Sequence, residues 1–190
     1  MGFRHLAGFL ALMILASSVG AELAPRIARY ADAEYKRSHD PLKAILTLHG
    51  ELDWDAISVT LVVYGDGRME YSDTRGGAGA GQMAAEDLDA LFDRAVSHGL
   101  AEWDSDTVRA WHLQDLGTVF PGMTDAARFR TIIALESYER GSYRVTDAVR
   151  SVDTKSPDYA SEILPDIPQY VVLAELSKLL WDHRRKWGAK

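Results

Sequence analysis

The run Ala56-Ile57-Ser58-Val59-Thr60-Leu61-Val62-Val63-Tyr64-Gly65-Asp66-Gly67-Arg68-Met69-Glu70-Tyr71 decides the fold. Residues 56–64 are rich in β-branched and apolar side chains, which pack well on a pleated surface and predict a strand. Gly65, Asp66 and Gly67 then supply the positive-φ positions of a tight hairpin turn. Residues 68–72 read as the returning strand, with Met69 and Tyr71 on one face.

Working outward, residues 43–49 alternate, with Ala44, Leu46 and Leu48 on one side, and predict a further strand. Residues 50–55 are polar and turn-like. Residues 73–82 carry Gly76, Gly77, Gly79 and Gly81 and read as a flexible loop. Residues 83–98 read as an amphipathic helix with Leu88, Leu91, Phe92, Ala95 and Val96 on its apolar stripe. Glu86 and Asp87 suit the positive end of its dipole, and Gly99 suits its C-terminal stop. Leu100, Ala101, Glu102 and Trp103 are expected to tuck beneath the core. A short helix is expected near residues 108–113 and a turn at Pro121 and Gly122.

Residues 128–137 form a second alternating strand, with Phe129, Thr131, Ile133 and Leu135 set against Arg130, Ile132 and Ala134. Gly141 marks a turn, and residues 143–149 pair back. Pro157, Pro165 and Pro168 then predict a loop. A closing helix is expected over 168–187, with the stripe Val172, Leu173, Leu176, Leu179, Leu180 and His183. The fold class expected is α+β: two β-hairpins forming an antiparallel sheet with helices packed on one face.

The N-terminus reads as a secretory signal. Arg4 and His5 precede a mostly apolar run of 14 residues, 6–19, and Val19, Gly20 and Ala21 offer small residues to a signal peptidase. The run is shorter than the roughly 20 residues that span a bilayer, so cleavage between Ala21 and Glu22 is expected and no stable membrane anchor remains. Residues 22–38 read as a helix with a thin stripe of Leu23, Ile27, Tyr30 and Tyr35, broken at His39-Asp40-Pro41. The expected organisation is a signal over 1–21, a helical extension over 22–42 and one α+β domain over 43–190. The location this implies is periplasmic or secreted.

Composition narrows the chemistry. The 190 residues contain no Cys, which removes disulfides, thiolate catalysis, Cys-ligated metals and a lipoprotein anchor. There is no Asn, hence no N-glycosylation acceptor. The net charge of −7 argues against nucleic-acid binding, which needs clustered Lys and Arg.

The motifs are bland. Gly76, Gly77, Gly79 and Gly81 match neither a dinucleotide fingerprint nor a P-loop, so no cofactor is expected. Asp53/Asp55, Asp87/Asp89 and Asp104/Asp106 are paired acids without the remaining ligands of a calcium loop, and no metal is expected. His39, His49, His98, His112 and His183 show no close ligand spacing. No Gly-x-Ser-x-Gly elbow occurs. No catalytic residue is assigned. Trp103 and Trp181 are placed as core anchors, and Trp54, Trp111 and Trp187 as candidate interface aromatics.

The strand–Gly65-Asp66-Gly67–strand run resembles the signature of an exported bacterial domain-of-unknown-function family. In those proteins a helix like that opening at Met83-Ala84-Ala85-Glu86-Asp87-Leu88 follows, then an exit like Gly99-Leu100-Ala101-Glu102-Trp103, a second hairpin and a closing helix. The same layout is similar to emfourin, an inhibitor of thermolysin-type metalloproteases. This chain has no counterpart of the Cys-Gly-x-Cys-Pro run that many of the former carry, and it has a longer N-terminal part than the latter. The resemblance implies a non-enzyme: an exported envelope domain that binds a macromolecule, with a protein of the cell envelope as the expected partner. Two alternatives stand beside it, an emfourin-type protease inhibitor and a small hydrolase whose site is assembled from His49, His112 or the Asp pairs.

Overall fold

The fold is that of a computed structural model, which describes residues 30, 32–52, 56–103, 105–106, 108, 128–155, 157–163 and 168–188. The signal over 1–21, with Ala21 and Glu22, the start of the N-terminal extension and nearly all of the helix expected near 108–113 lie outside these residues.

The described elements are β1 (Glu34–Lys36), β2 (Ala44–Leu52), β3 (Ile57–Tyr64), β4 (Arg68–Asp73), β5 (Ala78–Gln82), α1 (Ala85–Ser97), β6 (Arg128–Arg140), β7 (Tyr143–Lys155), α2 (Pro157–Ile163) and α3 (Pro168–Trp187). All strand pairs are antiparallel. β6 is the spine. β7 follows it on one side, from Arg140 opposite Tyr143 to Arg128 opposite Lys155. Its other side is shared: β2 lies against Arg128 to Ile133, and β1 continues against Ser137 to Glu139. β3, β4 and β5 extend the sheet beyond β2. The α+β class and the antiparallel sheet hold, but the sheet has seven strands, more than two hairpins supply.

One face of the sheet is apolar. Ile57, Val59, Leu61 and Val63 alternate inward on β3, as do Met69 and Tyr71 on β4 and Phe129, Ile133 and Leu135 on β6. The α1 stripe of Leu88, Leu91, Phe92, Ala95 and Val96 covers part of this face. The α3 stripe of Val172, Leu173, Leu176 and Leu180 covers another. Gly99 ends α1 with φ 98°, and Leu100, Ala101 and Trp103 are buried beneath the core as the sequence suggests.

Four local expectations fail, each because a distant partner outweighs local signals. Glu34–Lys36 form β1 and not the end of a helix. Their backbone groups pair with β6, and Tyr35 stacks on Phe92 of α1, ring centroids 6.3 Å apart. Residues 78–82 form β5 and not a loop. The glycines there make room for an indole: a Cβ on Gly79 would lie 2.2 Å from Trp187 Cγ, and one on Gly81 2.8 Å from its Cη2. Gly50 likewise stays in β2, where a Cβ would lie 2.9 Å from the Trp181 ring, so the strand runs to Leu52. β7 continues past Val149 to Lys155, and Pro157 opens α2. Its buried positions include Ala148, Val152 and Thr154, a pattern too polar to announce itself.

The Gly65-Asp66-Gly67 turn divides its labour. Gly67 takes the left-handed conformation, φ 86°. Gly65 is needed for closeness: a Cβ there would meet the backbone of Asp40 at 2.5 Å and the Ser38 carbonyl at 2.7 Å. The strap over 37–43, which leaves the sheet between β1 and β2, lies on the hairpin tip. Arg37, only 4% exposed, fixes it. Its guanidinium donates to the Gly65 carbonyl at 2.9 Å and pairs with Asp89 of α1 at 2.6 Å.

Two glycine substitutions separate close approach from backbone conformation. Gly65→Ala is expected to lower unfolding free energy by about 3 kcal/mol, since backbone must move. Gly76→Ala, at φ 88° with nothing within 4 Å, is expected to cost about 1 kcal/mol. Urea denaturation of the two variants measures both.

Candidate functional face

Among the described residues, no helix covers the second face of the sheet. Strict pairing sets its side chains in rows across the strands. One row reads Asp153, Arg130, His49, Thr60, Ser72 and Ala78. The next reads Ser151, Ile132, Thr47, Val62, Glu70 and Ala80. A third brings Val149 to Ala134 on one side and Ala44 to Tyr64 on the other. A β-bulge between Ala44 and Leu46 buries both Ile45 and Leu46 and turns Ala44 to this open face.

The face is therefore polar at one end and aliphatic at the other. At the polar end, with the ring proton on Nε2, the Thr60 hydroxyl donates to His49 Nδ1 at 3.0 Å and Nε2 donates to Glu51 at 3.4 Å. Arg130, directly across from His49, pairs with Asp153. At the aliphatic end, Val62, Ile132 and Ala134 are half-buried and Val149 is 58% exposed.

The strap borders the aliphatic end, where Lys43 Nζ approaches Asp147 of β7 at 3.9 Å. It holds Leu42 out at 84% exposure. The backbone around Leu42 is fixed on every side. Asp40 Oδ1 accepts from the Leu42 N–H at 2.8 Å, the Asp40 carbonyl from Lys43 N–H at 3.1 Å, and the Lys43 carbonyl from Gly65 N–H at 3.0 Å. Arg68 donates to the Pro41 carbonyl at 3.0 Å.

The hydroxyl–imidazole–carboxylate chain of Thr60, His49 and Glu51 has the order of a nucleophile relay. It lies on strands whose neighbours engage the backbone N–H groups in ladders, so among the described residues no preorganised oxyanion donors converge beside it. The other candidates scatter. Asp53, Asp55, Asp104, His112, Trp54 and Trp111 lie outside the described residues. Asp89 serves Arg37, while Asp87 and Asp106 are exposed. His98 donates to the Arg94 carbonyl at 2.6 Å and His183 to the Leu179 carbonyl at 2.7 Å, both local helix contacts. His39 is exposed on the strap. Among the described residues no three metal-ligating side chains cluster. Gly79 and Gly81 seat Trp187, which covers β5, and this gives that tryptophan a structural role the sequence did not reveal.

A second polar cluster closes the far tip of β6. The Tyr138 hydroxyl donates to Glu102 at 2.6 Å, and Arg140 bonds both oxygens of the same carboxylate. A groove between α2 and α3 has Val171, Ala174 and Trp181 on its wall, and Ser177 donates to Asp158 at its end at 3.0 Å.

No family model, curated protein or solved structure matches this chain. Among the described residues no helix is long and apolar enough to cross a membrane.

Burial, reinforced by a hydrogen bond to a carboxylate, pushes the phenols of Tyr35, Tyr71 and Tyr138 well above the ordinary tyrosine range. The folded state thus holds these protons after the unfolded chain has lost them. Stability is expected to be unaffected by these groups below about pH 10 and to fall as pH rises beyond it. Near-ultraviolet titration should show the three phenols ionising only together with unfolding.

Proposed function

We propose that the chain is an exported, non-catalytic domain of the periplasm or extracellular space that binds a protein partner through the open face of its sheet. The observation that carries this reading is the aliphatic end of that face, with Leu42 84% exposed and Val149 58% exposed. Apolar side chains held rigidly in water lose little freedom on docking, so they make efficient anchors. Polar pairs such as Arg130–Asp153 and Arg68–Glu70 border them, as a rim borders an interface core. Export rests on the N-terminal run and its small-residue boundary at Ala21.

The narrower reading is inhibition of a thermolysin-type metalloprotease, as the emfourin-like layout implies. Leu42 favours it, because an apolar side chain on a loop braced by Asp40, Arg68 and Gly65 is suited to entering a cleft without rearrangement.

Tagged protein over residues 22–190 should capture a defined partner from envelope extract. Leu42→Asp combined with Val149→Asp should weaken that capture about 30-fold or more while leaving thermal stability nearly unchanged. Equal capture by the variant removes this face from the reading. Titration against a metalloprotease panel tests the narrower one: stoichiometric inhibition supports it, and no effect on any enzyme rejects it.

A further inference from the structure

We infer that β5 is an interface strand that takes a second copy of this chain, joining two sheets edge to edge about a two-fold axis at Ala80. The inference is independent of the partner-binding face.

The backbone directions come first. Met83 N–H bonds the Gly67 carbonyl at 2.9 Å, and Asp73 N–H bonds the Gly77 carbonyl at 2.9 Å. These bonds mark the odd-numbered positions as the ones whose backbone groups face β4. Ala78, Ala80 and Gln82 therefore direct their N–H and C=O groups outward. Among the described residues no strand pairs with that outer edge.

Edges of this kind are normally defended by a charge, a proline or a bulge. Here Ala78-Gly79-Ala80-Gly81-Gln82 has no charge and no proline, and its register with β4 is unbroken. Set antiparallel about Ala80, two such strands oppose Ala80 to Ala80, Gly79 to Gly81 and Ala78 to Gln82. The outward groups of the even positions then meet in about six backbone hydrogen bonds. Ala78 and Ala80 present only methyl groups on the open face of the joint.

Charge selects a second copy over an unrelated strand. Extending the antiparallel line carries the β4–β5 turn of one copy toward the start of α1 in the other. Exposed Arg75 is thereby brought to exposed Glu86 and Asp87, and the symmetry makes the match twice. Trp187, half-buried beneath Gly79 and Gly81, is drawn toward its symmetry mate on the helix side. Five residues a side bury less than the roughly 1,200 Å² of a standard interface, so the association belongs in the micromolar range.

Sedimentation equilibrium of residues 22–190 from about 1 µM to about 1 mM reads the association, and amide exchange reads its location. Expected is a monomer–dimer equilibrium in which the Ala78, Ala80 and Gln82 amides become slower to exchange as concentration rises. Ala80→Pro removes an outward N–H that β4 does not use, so the folded circular dichroism signal should remain while dimerisation is lost. Arg75→Glu should weaken the dimer about 10-fold or more. Adding Glu86→Arg and Asp87→Arg to it should restore association even if Ala80→Pro proves unable to fold. A chain that stays monomeric throughout overturns the inference. So does a dimer whose β5 amides exchange as in the monomer, or protection of β5 that appears only with a foreign protein.

Discussion

Arg37 reaches three elements that share no sequence neighbourhood: the strap it begins, the hairpin tip at Gly65 and helix α1 at Asp89. Its planar guanidinium satisfies the hairpin carbonyl and the carboxylate at once, which an ammonium cannot do with the same geometry. The arrangement solves a topological problem. β1 and β2 lie along one edge of β6, and the chain between them must leave the sheet without abandoning its backbone groups inside the protein. The strap does so by bonding Lys43 to Gly65 and resting on a residue without a side chain. The same contact orients Leu42, so the constraint that closes the fold also sets the most exposed apolar residue of the open face.

What the sequence made legible were segments whose own composition repeats at a structural period. Val59, Leu61 and Val63 mark β3, and the stripes on α1 and α3 mark those helices without outside help. The hidden elements depend on residues far along the chain. β5 is a strand of alanine and glycine that reads locally as a flexible connector, and only Trp187 seated on Gly79 and Gly81 explains it. β1 lacks a pattern of its own and follows the edge that β6 offers. Polar residues disguise the second half of β7, because one of its faces is the open one.

The open face was less legible still. Nothing in the sequence places His49 against Thr60 or Arg130, since register alone brings them together. Exposure of Leu42 depends on the strap's hydrogen bonds and not on any motif. The outcome is an open surface with polar pairs at one end and aliphatic residues at the other. A rigid surface loses little entropy on association, which is the ground for proposing a partner there.

The spine has a consequence for the order in which the molecule can assemble. Strands β2, β3, β4 and β5 are neighbours in sequence and can pair as they emerge. β1 and the outer edge of β2 wait for β6, since Glu34 meets Glu139 and Leu46 meets Ile133. Closing loops of that span costs entropy before the contacts repay it, and non-local sheets fold slowly for this reason. The core also lacks its α3 cover until the final residues arrive. A chain built this way can form the β2–β5 meander early, but it completes its sheet and core only once residues 128–187 are available.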